Sequence, residues 1–244
     1  MRVSDFVPFG LLKILRKRKI YFEEDQSNRK NNYYTNKSFE VMRKNFQDIV
    51  NNGFNDIKLN KRYIYPLIIA SLNKESSISI CDIGGGIGEG YQYLRQIINK
   101  KIEYHIYEIK EVVELSRNYN LSDLKYIEIE KFNNDKKYDL IIISATIQCL
   151  EKELIEKILN NKARIIAIIE SPINDFHEFK AVQIDNNCKI LSIIYKRSEL
   201  IDKFKKYQYT NIIDLKNDAQ ENFHNFQWPK KNTEYRTLIF SYDN

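Results

Sequence analysis

The stretch Ile80-Cys81-Asp82-Ile83-Gly84-Gly85-Gly86-Ile87-Gly88-Glu89-Gly90 decides how the rest of the chain is read. It holds five of the seven glycines in the sequence, so it marks one tight, close-approach turn rather than general flexibility. Before it, Ser77 to Ile83 predicts a short strand; after it, Gly90 to Ile98 predicts a helix. Strand, glycine turn and helix form the opening unit of a nucleotide-binding parallel sheet. Asp82 stands in the pattern Asp-x-Gly-x-Gly-x-Gly. The stricter Gly-x-Gly-x-x-Gly of dinucleotide sites fails, because its third glycine would fall on Glu89. That argues against a nicotinamide-dependent oxidoreductase on a related sheet.

Downstream, Glu103 to Tyr107 predicts a second strand with Glu108 at its end. In a parallel sheet this carboxylate lies beside the first turn at the carboxyl edge, where an acid can accept two hydrogen bonds from ribose hydroxyls. A helix over Glu111 to Asn118 and a strand near Tyr126 to Ile129 follow. Tyr138 to Ile143 is an apolar run of the kind buried on both faces of a parallel sheet. A helix over Lys152 to Leu159 leads into a fifth strand, Ala163 to Ile169, ending in Glu170-Ser171-Pro172, and the loop Asn174 to Glu178 leaves the same edge. A helix (Ser198 to Lys206), a strand (Tyr209 to Leu215) and a last strand (Tyr235 to Tyr242) complete the chain. The predicted fold class is α/β: a Rossmann-like, mostly parallel seven-stranded sheet with helices on both faces and an antiparallel C-terminal hairpin.

Upstream, residues 1–60 are expected as a helical extension and 61–244 as the sheet domain. Asp5 to Lys19 joins a short apolar segment to a basic cluster. Such a segment can lie at an anionic membrane interface or pack as an ordinary helix. Phe39 to Val50 and Arg62 to Leu72 read as further helices, the first amphipathic. Tyr63 and Tyr65 on the second are candidates for an acceptor pocket, or simply for packing.

The chain of 244 residues is 43% hydrophobic and 30% charged, which describes a soluble folded protein. Its net charge of +6 favours an anionic partner but is too dispersed for nucleic acid. Cys81, Cys149 and Cys188 stand far apart, with neither a disulfide framework nor a zinc spacing, which fits a reducing cytoplasm. No apolar run reaches the roughly 18 residues of a membrane span. The expected location is cytoplasmic, with the basic segment as a peripheral contact to the inner membrane.

From Asp82 to Gly88 the sequence resembles the class I S-adenosylmethionine-dependent methyltransferases, and the likeness extends over residues 62–244. More narrowly it is similar to a methyltransferase family encoded among bacterial surface-polysaccharide genes. That likeness lies in Asp5-Phe6-Val7-Pro8, Tyr65-Pro66, Ser144 with Gln148-Cys149-Leu150, and Ser171-Pro172 followed by Ala181-Val182-Gln183. Two departures bear on the acceptor: Cys149 stands where an aromatic is usual, and Ile169-Glu170-Ser171-Pro172 replaces Asp-Arg-Thr-Pro. The absence of Asn-Pro-Pro-Tyr and of a Pro-Cys nucleophile argues against DNA methylation.

The resemblance implies S-adenosylmethionine as donor, S-adenosylhomocysteine as product, no metal, and a capsule or lipopolysaccharide component or small-molecule precursor as acceptor. It places Asp82, Gly84, Gly85, Gly86 and Gly88 around the amino-acid part of the donor. Glu108 and Ile109 fall at the ribose, with Ser144 and Ala145 on the opposite strand end. A neutral hydroxyl acceptor needs a base, whereas an ionised phosphate-type oxygen needs only placement. His177, after the fifth strand, and His224, before the last, are the candidate bases. Gln148 is a hydrogen-bonding candidate, Glu170 an acceptor contact or weaker base, and His105, inside the second strand, is read as structural. A small-metabolite acceptor, transfer to nitrogen, and a non-catalytic binding protein of the same fold stay open.

Overall fold

The computed structural model describes residues 19–22, 39–40, 43–44, 76–117, 123–185, 188–216 and 233–243. The order is β1 (Lys19–Phe22), β2 (Ser77–Ile83), α1 (Glu89–Ile97), β3 (Lys101–Glu108), α2 (Lys110–Ser116) and β4 (Leu124–Glu128). It continues with β5 (Leu140–Ser144), α3 (Lys152–Asn160), β6 (Ile165–Asn174), β7 (Phe179–Asp185), β8 (Cys188–Lys196), α4 (Arg197–Lys206), β9 (Tyr209–Lys216) and β10 (Thr233–Tyr242).

Seven strands form the central sheet in the order β4-β3-β2-β5-β6-β10-β9. The pairs β4–β3, β3–β2, β2–β5 and β5–β6 are parallel, and β10 runs antiparallel to both β6 and β9. Period-two alternation splits the isoleucine-rich strands between two cores. Ile80, Tyr104, Ile106, Ile142 and Ala167 face α1, where Tyr91 and Leu94 meet them. Ile83, Tyr107, Ile141, Ile143 and Ile168 face the other way, against Ile155 and Ile158 of α3 and Leu200 and Phe204 of α4. Phe204 stacks on Phe240 with ring centroids 4.0 Å apart. Each such side chain contributes about 1.5–3 kcal/mol on burial, which clamps both helical layers onto the sheet.

Among the described residues the sheet has ten strands rather than the seven expected, and the addition lies at the carboxyl edge. β6 runs on through Glu170-Ser171-Pro172 to Asn174 instead of stopping at Ile169. Its first half pairs with β5, from Leu140↔Ile165 to Ser144↔Ile169. Its end pairs with β8 instead, through Ile173↔Tyr195 and Asn174↔Lys196. Glu170, at φ 47°, marks the change of partner. β7 and β8 form an antiparallel hairpin, β1 adds to the free edge of β7, and β8 packs on the Ile147–Cys149 turn that follows β5.

Within the expected helical extension, Lys19–Phe22 is therefore a strand. Phe39–Glu40 and Arg43–Lys44 are helical, inside the helix expected there. The basic cluster before Lys19, the helix expected over 62–72 with Tyr63 and Tyr65, and His224 lie outside the described residues.

Candidate functional site

The glycine turn sits at the carboxyl end of β2, and each of its first three glycines meets a different constraint. Gly84 has φ +70°, and a Cβ there would stand 2.6 Å from the Thr146 side chain on the turn after β5. Only a residue without a side chain fits both the left-handed backbone and that approach. A Cβ at Gly85 would stand 2.6 Å from the Asp82 carboxyl carbon. Around Gly86 the situation reverses: among the described residues a Cβ there would meet nothing within 4 Å. The turn is thus packed from below and from one side and open above Gly86.

Two buried acids flank that opening. Asp82 has no exposed surface, and its Oδ2 accepts a bond of 2.5 Å from the Tyr104 hydroxyl. Glu108 is 4% exposed. Its Oε1 accepts from the Gly86 amide at 3.0 Å and its Oε2 from the Ile109 amide at 2.9 Å. The second acid therefore folds back onto the glycine turn, which fixes both. Tyr126 reaches the same place from β4: a Cβ at Gly88 would stand 3.2 Å from its hydroxyl. Burial first, then the charges of Asp82 and Glu108, push the Tyr126 phenol well above its usual value, so it stays a protonated donor at neutral pH.

Across the turn, the segment after β5 supplies a second set of groups. Ala145 has φ 51°, and its amide donates to the Ile169 carbonyl at 2.8 Å. Thr146 Oγ1 donates to the Ser144 carbonyl at 2.7 Å. Gln148, 3% exposed, donates from Nε2 to the Ala145 carbonyl at 2.7 Å. That bond fixes the amide with Oε1 pointing the other way, and Oε1 has no partner among the described residues. The buried hydroxyls of Ser144 and of Tyr195 on β8 likewise have no partner among the described residues.

The sequence candidates thus divide. Asp82, Gly84, Gly85, Gly86, Gly88, Glu108 and Ile109 come together as one unit, with Ser144 and Ala145 across the turn. His177 does not join them: it is exposed on the β6–β7 loop, its amide donating to Asn174 Oδ1 at 2.8 Å. Glu170 is half-buried at the change of strand partner. His105 is structural. Its Nδ1 meets the Tyr138 hydroxyl at 2.9 Å, Nε2 lies 3.1 Å from Glu103, and burial lowers its pKa. Tyr104, Tyr126 and Thr146 were not among the sequence candidates. Their strand and turn positions were readable, but not the inter-strand offset that carries their side chains to the acids and the glycines.

No protein-family model and no curated protein sequence matches this chain. Solved structures match its fold. A 1,6-didemethyltoxoflavin-N1-methyltransferase from Burkholderia thailandensis, holding 1,6-didemethyltoxoflavin and S-adenosylhomocysteine, is 10% identical, with a TM-score of 0.50 over 93% of this chain and 100% of that one. An S-adenosylmethionine-dependent methyltransferase from Clostridium acetobutylicum is 12% identical, with a TM-score of 0.51 over 84% of this chain and 99% of its own. Another, from Mesorhizobium loti, is 10% identical, with a TM-score of 0.50 over 75% and 100%. The chain has the Rossmann-like methyltransferase fold. In this chain the β7–β8 hairpin stands between β6 and α4. No cluster of His, Cys, Asp or Glu among the described residues is arranged to hold a metal, and no described helix is long and apolar enough to cross a membrane.

Proposed function

We propose that the chain is an S-adenosylmethionine-dependent methyltransferase acting on an oxygen of a bacterial surface-polysaccharide component or its activated precursor. One observation carries the cofactor reading: the open space over Gly86 is bordered by a buried carboxylate, Glu108, that the Gly86 amide itself holds. S-adenosylmethionine supplies an activated methyl group, so the protein is left with binding, orientation and handling of the acceptor proton. A carboxylate accepts up to about four hydrogen bonds, which suits Glu108, buried beside the turn, to ribose hydroxyls. Asp82, fixed under Gly85, orients the turn against the amino-acid end.

The acceptor falls to the carboxyl ends of β5 and β6, where good placement can supply several kcal/mol of rate enhancement. Gln148 Oε1 can receive a bond from an acceptor O–H or N–H but is no base. For a neutral hydroxyl the base is His177, His224 or Glu170; for an ionised phosphate-type oxygen none is required. The polysaccharide acceptor and its anionic character rest on the sequence resemblance and on the net charge of +6. A cytoplasmic site of action, with the basic N-terminal segment against the inner membrane, belongs to the same proposal.

One observation favours a small-metabolite acceptor: the Burkholderia neighbour is named for N1-methylation of 1,6-didemethyltoxoflavin. S-adenosylhomocysteine release, measured with nucleotide sugars, phosphorylated sugars and small phenols and amines, separates the two. Release with the sugar compounds is the expected result. Release with the metabolites alone moves the acceptor, and none with any compound, from protein that binds the cofactor, points to a non-catalytic role.

A further inference from the structure

We propose that Tyr104 is a positioning residue of the cofactor site, acting through Asp82. The inference rests on the S-adenosylmethionine reading and adds a residue to it. Asp82, Ile106 and Tyr126 stand in one row across β2, β3 and β4, and Tyr104 stands two residues earlier on β3, paired with Ile80. Alternation puts Tyr104 on the same sheet face as Asp82, fully buried, and its hydroxyl closes the gap to Oδ2 at 2.5 Å. A hydrogen bond to an ionised oxygen away from water is among the stronger ones a protein makes. On its other side the Tyr104 ring meets Tyr91 of α1 edge-to-face, with centroids 5.6 Å apart.

The Asp82 carboxylate in turn lies where a Cβ on Gly85 would collide with it. Contact therefore runs from α1 through Tyr91, Tyr104 and Asp82 to the backbone of the turn. Removing the Tyr104 hydroxyl takes from Asp82 the donor on its Oδ2 under Gly85, while the Glu108 side keeps its bonds from the Gly86 and Ile109 amides. Tyr104 thus acts on the part of the ligand that lies over Gly84 and Gly85, the amino-acid end, and not on the nucleoside end.

The test is a double-mutant cycle read with two ligands. S-adenosylhomocysteine and 5′-methylthioadenosine, which lacks the amino-acid end, are titrated calorimetrically into wild type, Tyr104→Phe, Asp82→Asn and the double variant. Thermal unfolding confirms that each is folded. Tyr104→Phe is expected to weaken S-adenosylhomocysteine about tenfold, and methylthioadenosine by less than about twofold. The double variant is expected to bind S-adenosylhomocysteine no more weakly than Asp82→Asn alone. Equal losses for both ligands, losses that add in the double variant, or an unchanged S-adenosylhomocysteine affinity in Tyr104→Phe overturn the inference. A wild type that binds neither ligand removes the cofactor reading itself, and the inference with it.

Discussion

The carboxyl edge of the sheet has two halves built on opposite terms. At the ends of β2 and β3, the acids are held by named donors: Tyr104 on Asp82, and the Gly86 and Ile109 amides on Glu108. At the ends of β5 and β6, under the added β8 strand, Ser144 Oγ, Gln148 Oε1 and the Tyr195 hydroxyl are buried with no partner among the described residues. A buried polar atom left unpaired costs about 1–3 kcal/mol. The contrast teaches that the first half is organised before any ligand arrives, whereas the second carries a cost that a ligand's polar groups could relieve. We read the first as the cofactor half and the second as the acceptor half.

The sharpest way to break the comparison is at Gly85. Gly85→Ala drives a methyl into the Asp82 carboxylate, so it should abolish S-adenosylhomocysteine binding and destabilise the fold by about 2–3 kcal/mol. Calorimetry and urea unfolding check both, and a variant that binds normally would show the turn to be less constrained than its contacts imply. Tyr138→Phe removes a hydroxyl shared by His105 and Tyr107 in the core beneath the turn. It should cost about 1–2 kcal/mol in urea unfolding and leave ligand affinity alone.

In the second half the expectation reverses. Gln148→Leu removes an oxygen with no partner among the described residues along with one bond to Ala145, so stability should stay within about 1 kcal/mol. Cofactor affinity should not change while acceptor turnover falls. A large loss of stability would mean that Gln148 belongs to the packed half.

The smallest effect concerns pH. Burial lowers the His105 pKa below its ordinary 6.5, so folding favours the neutral ring. That stability is present above the unfolded value and is lost as pH falls from about 6.5 towards the depressed folded value. The melting temperature should therefore drop between pH 7 and 5 more steeply in wild type than in His105→Gln, by a few degrees at most. Parallel profiles would remove His105 from the account.

How much of this was legible in the sequence follows the same division. The glycine cluster, Asp82 and Glu108 are local signals, because a tight turn and a strand-end carboxylate need particular residues at particular steps. The apolar runs likewise mark the strands of the central sheet, whereas the antiparallel sense of its closing pair is legible only through the resemblance to the methyltransferases. The hairpin has only a broken signal: alternation over Phe179 to Asp185 is interrupted at Ala181-Val182, although Asn186-Asn187 separates that run from a second β-rich one. β1 was out of reach, since four residues carry almost no periodicity and their partner, β7, lies far along the chain. Tyr104 was out of reach for another reason. Alternation assigns a side chain to a face, but only the register Ile80↔Tyr104 brings its hydroxyl to Asp82.

The central claim is that Glu108 and the turn from Asp82 to Gly88 bind S-adenosylmethionine. The most direct measurement is calorimetric titration of S-adenosylhomocysteine and of NADH into wild type and Glu108→Ala. Micromolar binding of S-adenosylhomocysteine, lost in Glu108→Ala, is the expected result, with no binding of NADH by either protein. NADH binding by folded wild type, or S-adenosylhomocysteine binding that survives Glu108→Ala unchanged, would contradict it.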